Sequence, residues 1–412
     1  MQSLSKAGKI LWTGFCINLA IGILYAWSVF KKSLVIDYGW SNADATLPYT
    51  VAIVVFAAAL LIAGILQDKI GPRKVLILGT SLVGLGMILS GLVASPIALV
   101  LTFGVVVGTG IGFGYACLSP AAMKWFHPSR KGFVNGVITA GFGLGAVYLA
   151  PLTSQLIETL GIQYSFMVLG AAVIVIAVPL ACTINNPPEG YQPEAPKNES
   201  LTTANSVKPK DITWKAMLKT PQFYFMWIMF AFASSAGLMV IGNITSIALT
   251  QANISDSAYL VGIVAIFNCL GRMGGGILSD KIGGVRTLML AFVLQGANML
   301  MFGSYSTEIT LIIGAIAAGV GYGILLSVFP SLTAEFYGLK NYGTNYGVLY
   351  TAWGISGFIG PVIAAFAVDT SGSYTLAYSA SAVMVGIALA LAFMTKPVGA
   401  AQPEIEQEVA LA

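Results

Sequence analysis

Charge is what this chain of 412 residues has least of: 20 Lys and Arg and 16 Asp and Glu make up 9% of it, against roughly a quarter in an ordinary soluble domain. A soluble globule of this length could not cover its surface with so few, and a hydrophobic content of 57% places the chain in a lipid bilayer. The same scarcity excludes a module that binds nucleic acid, which needs a basic face, and a disordered protein. Histidine occurs once and cysteine four times. Cys16, Cys117, Cys182 and Cys269 all fall in apolar runs without metal-ligand spacing, which excludes a secreted disulfide scaffold and leaves them as small apolar packers. No nucleotide-binding loop, metal cluster or nucleophile–base pair is found, so neither an enzyme nor an ATP-driven pump is expected, and no cofactor.

What the chain does have is length in apolar runs. Runs near the 20 or so residues needed to cross a bilayer recur twelve times, at 10–34, 44–66, 75–94, 97–123, 133–157, 163–184, 222–249, 258–279, 286–304, 309–334, 344–368 and 374–395. The 47 Gly and 17 Pro suit such helices, because neighbouring helices re-satisfy the backbone groups that these residues free. Lys6 and Lys9 flank the first run as in a signal peptide, but the run is too long for one and reads as a span. With both termini in the cytoplasm, 17 of the 20 basic residues fall inside, only Lys31 and Lys32 outside, and Arg272 within a span, as the positive-inside rule requires. The outer loops then carry Asp37, Asp44, Glu158, Asp256, Glu308 and Asp369.

The organisation expected is a six-span half over 1–184, a cytoplasmic linker over 185–219 containing Pro187, Pro188, Pro193, Pro196 and Pro209, a second six-span half over 220–396, and a disordered cytoplasmic tail over 397–412. The halves repeat one another. Gly64-Ile65-Leu66-Gln67-Asp68-Lys69-Ile70-Gly71 returns 212 residues later as Gly276-Ile277-Leu278-Ser279-Asp280-Lys281-Ile282-Gly283, with seven of eight residues identical. Gly110-Ile111-Gly112-Phe113-Gly114 answers Gly319-Val320-Gly321-Tyr322-Gly323, Pro120 answers Pro330, and Gly132, Gly136 and Gly143 answer Gly343, Gly347 and Gly354. Parallel repeats of this kind place a substrate site at the midplane, between halves that rock.

The segment from Gly64 to Lys74 resembles the signature loop of the major facilitator superfamily, and its echo in the second half extends the resemblance to nearly the whole chain. Three further segments resemble the oxalate:formate antiporter family: Gly22-Ile23-Leu24-Tyr25-Ala26-Trp27-Ser28, the stretch from Trp125-Phe126 through Arg130-Lys131-Gly132 to Ala140-Gly141, and Asn345-Tyr346-Gly347-Val348. The related monocarboxylate transporters share the second of these and an intramembrane arginine. The resemblance implies an all-α membrane protein of twelve transmembrane helices in two six-helix repeats, and a small carboxylate as cargo.

Arg272 is the one basic residue in the body of a span, eight residues or about 12 Å inward from Asp280. An arginine there costs about 2.5–3.5 kcal/mol even on lenient insertion scales, which makes it a candidate functional group by default. The plainer reading is a structural arginine tied to backbone carbonyls. No Asp or Glu lies deep in any span, however, and a guanidinium fork matches a carboxylate in two places, so a substrate anion is the expected partner. Asn268 lies one turn earlier on the same face and can add amide hydrogen bonds. The monocarboxylate transporters usually hold at this position an Asp implicated in proton coupling, and an Asn cannot titrate.

Tyr115 shares a helical face with Gly108, Gly112 and Ser119, where its phenol would either donate to an anion or simply pack. Tyr346, Tyr350, Trp353 and Gly357 form a stripe at helical spacing that reads as packing or as cavity lining. The oxalate-selective member of the family carries a second cation, a lysine, where this chain has Trp353. One cation beside a bulky aromatic favours a monoanion with an apolar end, with Leu24 and Leu144 as candidate apolar contacts. The repeated loops place Asp68, Lys69, Arg73, Asp280 and Lys281 at the cytoplasmic ends of spans, as a gate that holds neighbouring helix ends or as tight turns with topogenic charge. His127 reads as a solvated loop residue.

The expectation is therefore a monomeric transporter of the inner or plasma membrane that moves a short monocarboxylate, L-lactate or pyruvate, with a proton by alternating access. Anion exchange of the oxalate/formate type is one alternative, and a carboxylate sensor that does not transport is another.

Overall fold

The computed structural model describes residues 2–188, 190–193, 211–254 and 257–396. Asp256, the middle of the linker and the tail over 397–412 lie outside the described residues. Among the described residues, twelve helical segments are long and apolar enough to cross a membrane. The first combines α1 (Gln2–Ile21), a 3-10 turn (Gly22–Ala26) and α2 (Trp27–Ile36). The next two are α3 (Asn42–Ile70) and α4 (Pro72–Gly91). In the fourth, α5 (Pro96–Leu99) runs through a wider π-helical stretch (Val100–Val107) into α6 (Gly108–Met123), and α7 (Lys131–Leu160) and α8 (Ile162–Ala181) complete the half. A short helix, α9 (Trp214–Met217), precedes the second half: α10 (Pro221–Ala252), α11 (Ala258–Ile282), α12 (Gly284–Phe302), α13 (Glu308–Tyr337), α14 (Tyr342–Ser371) and α15 (Thr375–Met394).

Local chemistry sets the ends. Pro72, Pro96 and Pro221 open their helices, where the missing N–H would have no partner anyway. The repeated loops turn on Gly71 and Gly283, with φ of 84° and 92°, a region that favours glycine over any residue with a Cβ. The expected uninterrupted first span is broken by its 3-10 turn, where α7 comes close. A Cβ on Gly22 would lie 3.0 Å from the Phe142 carbonyl oxygen and 3.3 Å from Gly145 Cα. Hydropathy alone carries no sign of that break.

Large apolar side chains such as Val54, Val175, Leu300 and Phe358 stand exposed on the outside of the bundle, as lipid-facing positions require. Across the halves, α3 packs on α14 and α7 on α11, a symmetric pair of contacts that matches the sequence repeat. The two repeated loops, with the exposed Lys69, Arg73 and Lys281, mark the basic end of the bundle.

Candidate functional site

α11 places Arg272 at the seam between the halves, with 1% of its surface exposed. Its Nε donates to Asn268 Oδ1 at 2.9 Å, one turn back on the same helix, and its Nη1 donates to the Thr139 carbonyl of α7 at 2.7 Å. The guanidinium thus ties one half to the other. Glycines admit it from both sides. On α7, a Cβ at Gly136 would press on the Arg272 carbonyl, and one at Gly143 would lie 3.6 Å from Nε. On α13, Gly323 lies against the Asn268 carbonyl and Gly319 against that of Val264. The glycines that mark the repeat are the surfaces on which the arginine's helix rests.

Beside the guanidinium, rings from both halves converge on Phe56 of α3. Their centroids lie 5.7 Å away for Tyr115, 6.2 Å for Phe142, 6.1 Å for Tyr350 and 5.6 Å for Trp353. Tyr115 also meets Phe142 at 5.2 Å and Tyr350 at 6.0 Å. Trp353 Nε1 donates to Tyr322 Oη at 2.7 Å, which fixes the indole in the cage. Phe142 of the cage is the α7 neighbour of Gly143, the position that faces Arg272 Nε. The result is a buried cation with a low-dielectric, ring-lined neighbourhood, suited to an anion with an apolar end.

Of the residues singled out from the sequence, Arg272, Asn268, Tyr115, Tyr350 and Trp353 come together at this centre. Leu24 is buried in the 3-10 turn, which packs against α7. Leu144 is half-buried and stands outside the apolar core cluster. Phe56, Phe142, Tyr322 and Thr139 join the centre without having stood out in the sequence. The repeat held a signal for one of them, since a shift of 212 lays Phe56 over Asn268. Thr139 takes part through its carbonyl, which no side-chain pattern discloses.

At the basic end, both loop carboxylates cross to the other half. Asp280 accepts from the Gly132 and Phe133 N–H groups at the start of α7, both at 2.7 Å. Asp68 accepts from Thr344 N at 3.0 Å and Thr344 Oγ1 at 2.9 Å at the start of α14. Each negative charge sits at a helix N-terminus, where the backbone dipole favours it. Gly64 abuts the Gly343 carbonyl and Gly276 the Gly132 carbonyl so closely that neither could carry a Cβ. Asn135 Nδ2 adds a bond to the Ser327 carbonyl at 2.7 Å, and Lys131 Nζ one to that of Ala334 at 3.4 Å. Lys69, Arg73 and Lys281 are exposed on this rim. Burial lowers the pKa of Lys124, between α6 and α7, against the opposing pull of Asp68 and Asp211. His127 accepts from Ser129 N–H and stands 2.9 Å from its hydroxyl in the loop before α7.

Comparison with known proteins gives a family and a set of relatives. The model of the Major Facilitator Superfamily matches residues 10–297 and 252–411. An uncharacterised MFS-type transporter of Escherichia coli, YhjX, is 32% identical over 342 residues, covering 82% of each chain. The oxalate:formate antiporter of Oxalobacter formigenes is 27% identical over 91% of this chain and 88% of its own. Monocarboxylate transporter 13 of Rattus norvegicus is 25% identical over 90% and 84%. Among solved structures, the MFS transporter FucP in the outward conformation superposes with a TM-score of 0.69 at 16% identity, over 93% of this chain and 99% of that one, a likeness of fold.

Proposed function

The chain belongs to the Major Facilitator Superfamily, and on that premise we propose that it moves a short monocarboxylate, L-lactate or pyruvate, by alternating access, with the carboxylate held on Arg272. It is a multi-pass membrane transporter and not an enzyme. The observation that carries the substrate reading is a guanidinium buried at the seam of the halves, beside a cage of rings from both, with the neutral oxygens of Asn268 and Thr139 among its acceptors. Two relatives named for oxalate, formate and monocarboxylates support the same chemical class.

The anion would displace the Thr139 carbonyl from Nη1 while Asn268 keeps Nε in place, so the fork is oriented before the cargo arrives. The apolar end of the substrate would lie against Phe56, Tyr350 and Trp353. With its charge neutralised, the centre closes at lower cost, the Asp68 and Asp280 clasps release, and the basic-end mouth opens. Trp353, held by Tyr322, stands where a dianion would need its second cation, so a monoanion fits better.

The coupling mode expected is proton symport by a monomer in the inner or plasma membrane, with both termini cytoplasmic. Asn268 favours a second reading, anion exchange, because it offers no titratable group beside the arginine. Uptake of labelled lactate into proteoliposomes separates them: an inward proton gradient accelerates a symporter and leaves an exchanger unchanged. Arg272→Ala should abolish both flux and carboxylate binding in a folded protein. Retained lactate flux would overturn the site, and binding without any flux in the unaltered protein would favour a sensor.

A further inference from the structure

α14 carries a column of rings from the basic end to the cage. Tyr342, Tyr346, Tyr350 and Trp353 follow one another with centroids 5.6, 5.3 and 5.1 Å apart. The last two belong to the cage. The first two differ in where their hydroxyls lie. Tyr342 is 0% exposed and its hydroxyl has no hydrogen-bond partner, and Tyr346, at 2%, approaches Tyr115 without a bond of regular geometry. A buried phenol usually finds an acceptor, and a phenylalanine would fill the same space without the penalty of an unmet hydroxyl.

Their position gives the oxygens a use. Tyr346 stands next to the cage, its ring centroid 5.3 Å from that of Tyr350. Tyr342 is the first residue of α14, directly before the Gly343–Thr344 segment that meets Gly64 and Asp68. Both are buried at the end where Gly343 and Thr344 of α14 pack on Gly64 and Asp68 of α3. If Asp68 releases α14, an anion leaving Arg272 toward the basic-end mouth would pass Tyr346 and then Tyr342 along the ring column.

We propose that Tyr342 and Tyr346 form a second, transient carboxylate station between Arg272 and the basic-end mouth, occupied only while that mouth is open. Each phenol donates an O–H to the anion. Being neutral, the pair holds the carboxylate less firmly than the guanidinium and releases it to water, as a way-station must. The station rests on the carboxylate reading above.

The test uses full-length Tyr342→Phe, Tyr346→Phe and the double variant in proteoliposomes, with lactate as the probe and sidedness fixed by protease access to the 185–219 linker. In the double variant, half-saturating lactate at the basic side should rise about tenfold, while the value from the opposite side changes by less than about twofold. The thermal midpoint should hold or rise, because an unmet hydroxyl has been removed. Unchanged half-saturation at the basic side, an equal rise on both sides, or a lowered midpoint overturns the station. The unaltered protein and Arg272→Ala keep the two claims apart. If neither carries lactate or pyruvate, the carboxylate reading fails and the station with it. If only Arg272→Ala is inactive and the tyrosine variants behave like the unaltered protein, the station alone fails.

Discussion

A guanidinium removed from water must be held by dipoles or by an anion, and Arg272 is held by an amide oxygen of its own helix and a carbonyl of the opposite half. Those two bonds leave from different nitrogens of a planar fork. Arg272→Lys, with a single ammonium, would not reproduce that geometry, and kcat/KM for lactate should fall at least about tenfold in uptake assays although the charge is kept. Asn268→Asp should act from the other side of the pair. A carboxylate one turn from the arginine would compete with the cargo for the fork, and half-saturating lactate should rise about tenfold at neutral pH, read in the same assay. The sequence disclosed Arg272 because every other basic residue lies in a loop, a terminus or near a span end, and Asn268 because it is one turn away. Thr139 stayed hidden because every residue has a carbonyl, and only the approach of two helices decides which one is used.

Among the elements, the seam at the basic end depends on two features that the repeat duplicates: a glycine pressed on a carbonyl and an aspartate at a helix start. Gly276→Val would force α11 off α7 at Gly132, and Asp280→Asn would remove a charge worth about 1 kcal/mol at the start of α7. Both should shift the population toward the state open at the basic end, the valine further. The measurement is thiol labelling of a cysteine placed at Ser327, which is fully buried while the seam is shut. Labelling no faster than in the otherwise unaltered reporter would mean that the seam does not depend on these contacts. The twelve spans were legible from apolar length, and the two repeated turns from their glycines, while several helices run a few residues beyond the apolar runs. The 3-10 turn at Gly22–Ala26 and the π-helical stretch at Val100–Val107 were not, because they follow from how closely neighbouring helices approach and leave no mark in hydropathy.

At the scale of the whole molecule, the halves share a frame but divide the chemistry. One supplies Phe56, Tyr115 and Phe142, and the other Arg272, Asn268 and Trp353. One cation in a ring-lined centre should rank lactate and pyruvate above acetate and formate, and all four above oxalate, in a competition panel for uptake. Trp353→Lys should lift oxalate in that ranking at the expense of lactate, since it adds a second charge and removes an apolar wall. The repeat made the two-half plan legible, but it could not say which side chains meet. Phe56 becomes the hub only when the rings of both halves close around it.

The bond from Arg272 to the Thr139 carbonyl has a kinetic consequence. If Arg272 holds the cargo as proposed, the Thr139 carbonyl would take the anion's place on Nη1 once the anion has left. A carrier equipped in this way would make its return stroke unladen. Net accumulation should then proceed with nothing on the far side to swap, and preloading vesicles with cold lactate should quicken labelled uptake only modestly. A large acceleration on preloading would mean that the empty stroke is the slow one and that the carbonyl is a poor substitute for the anion.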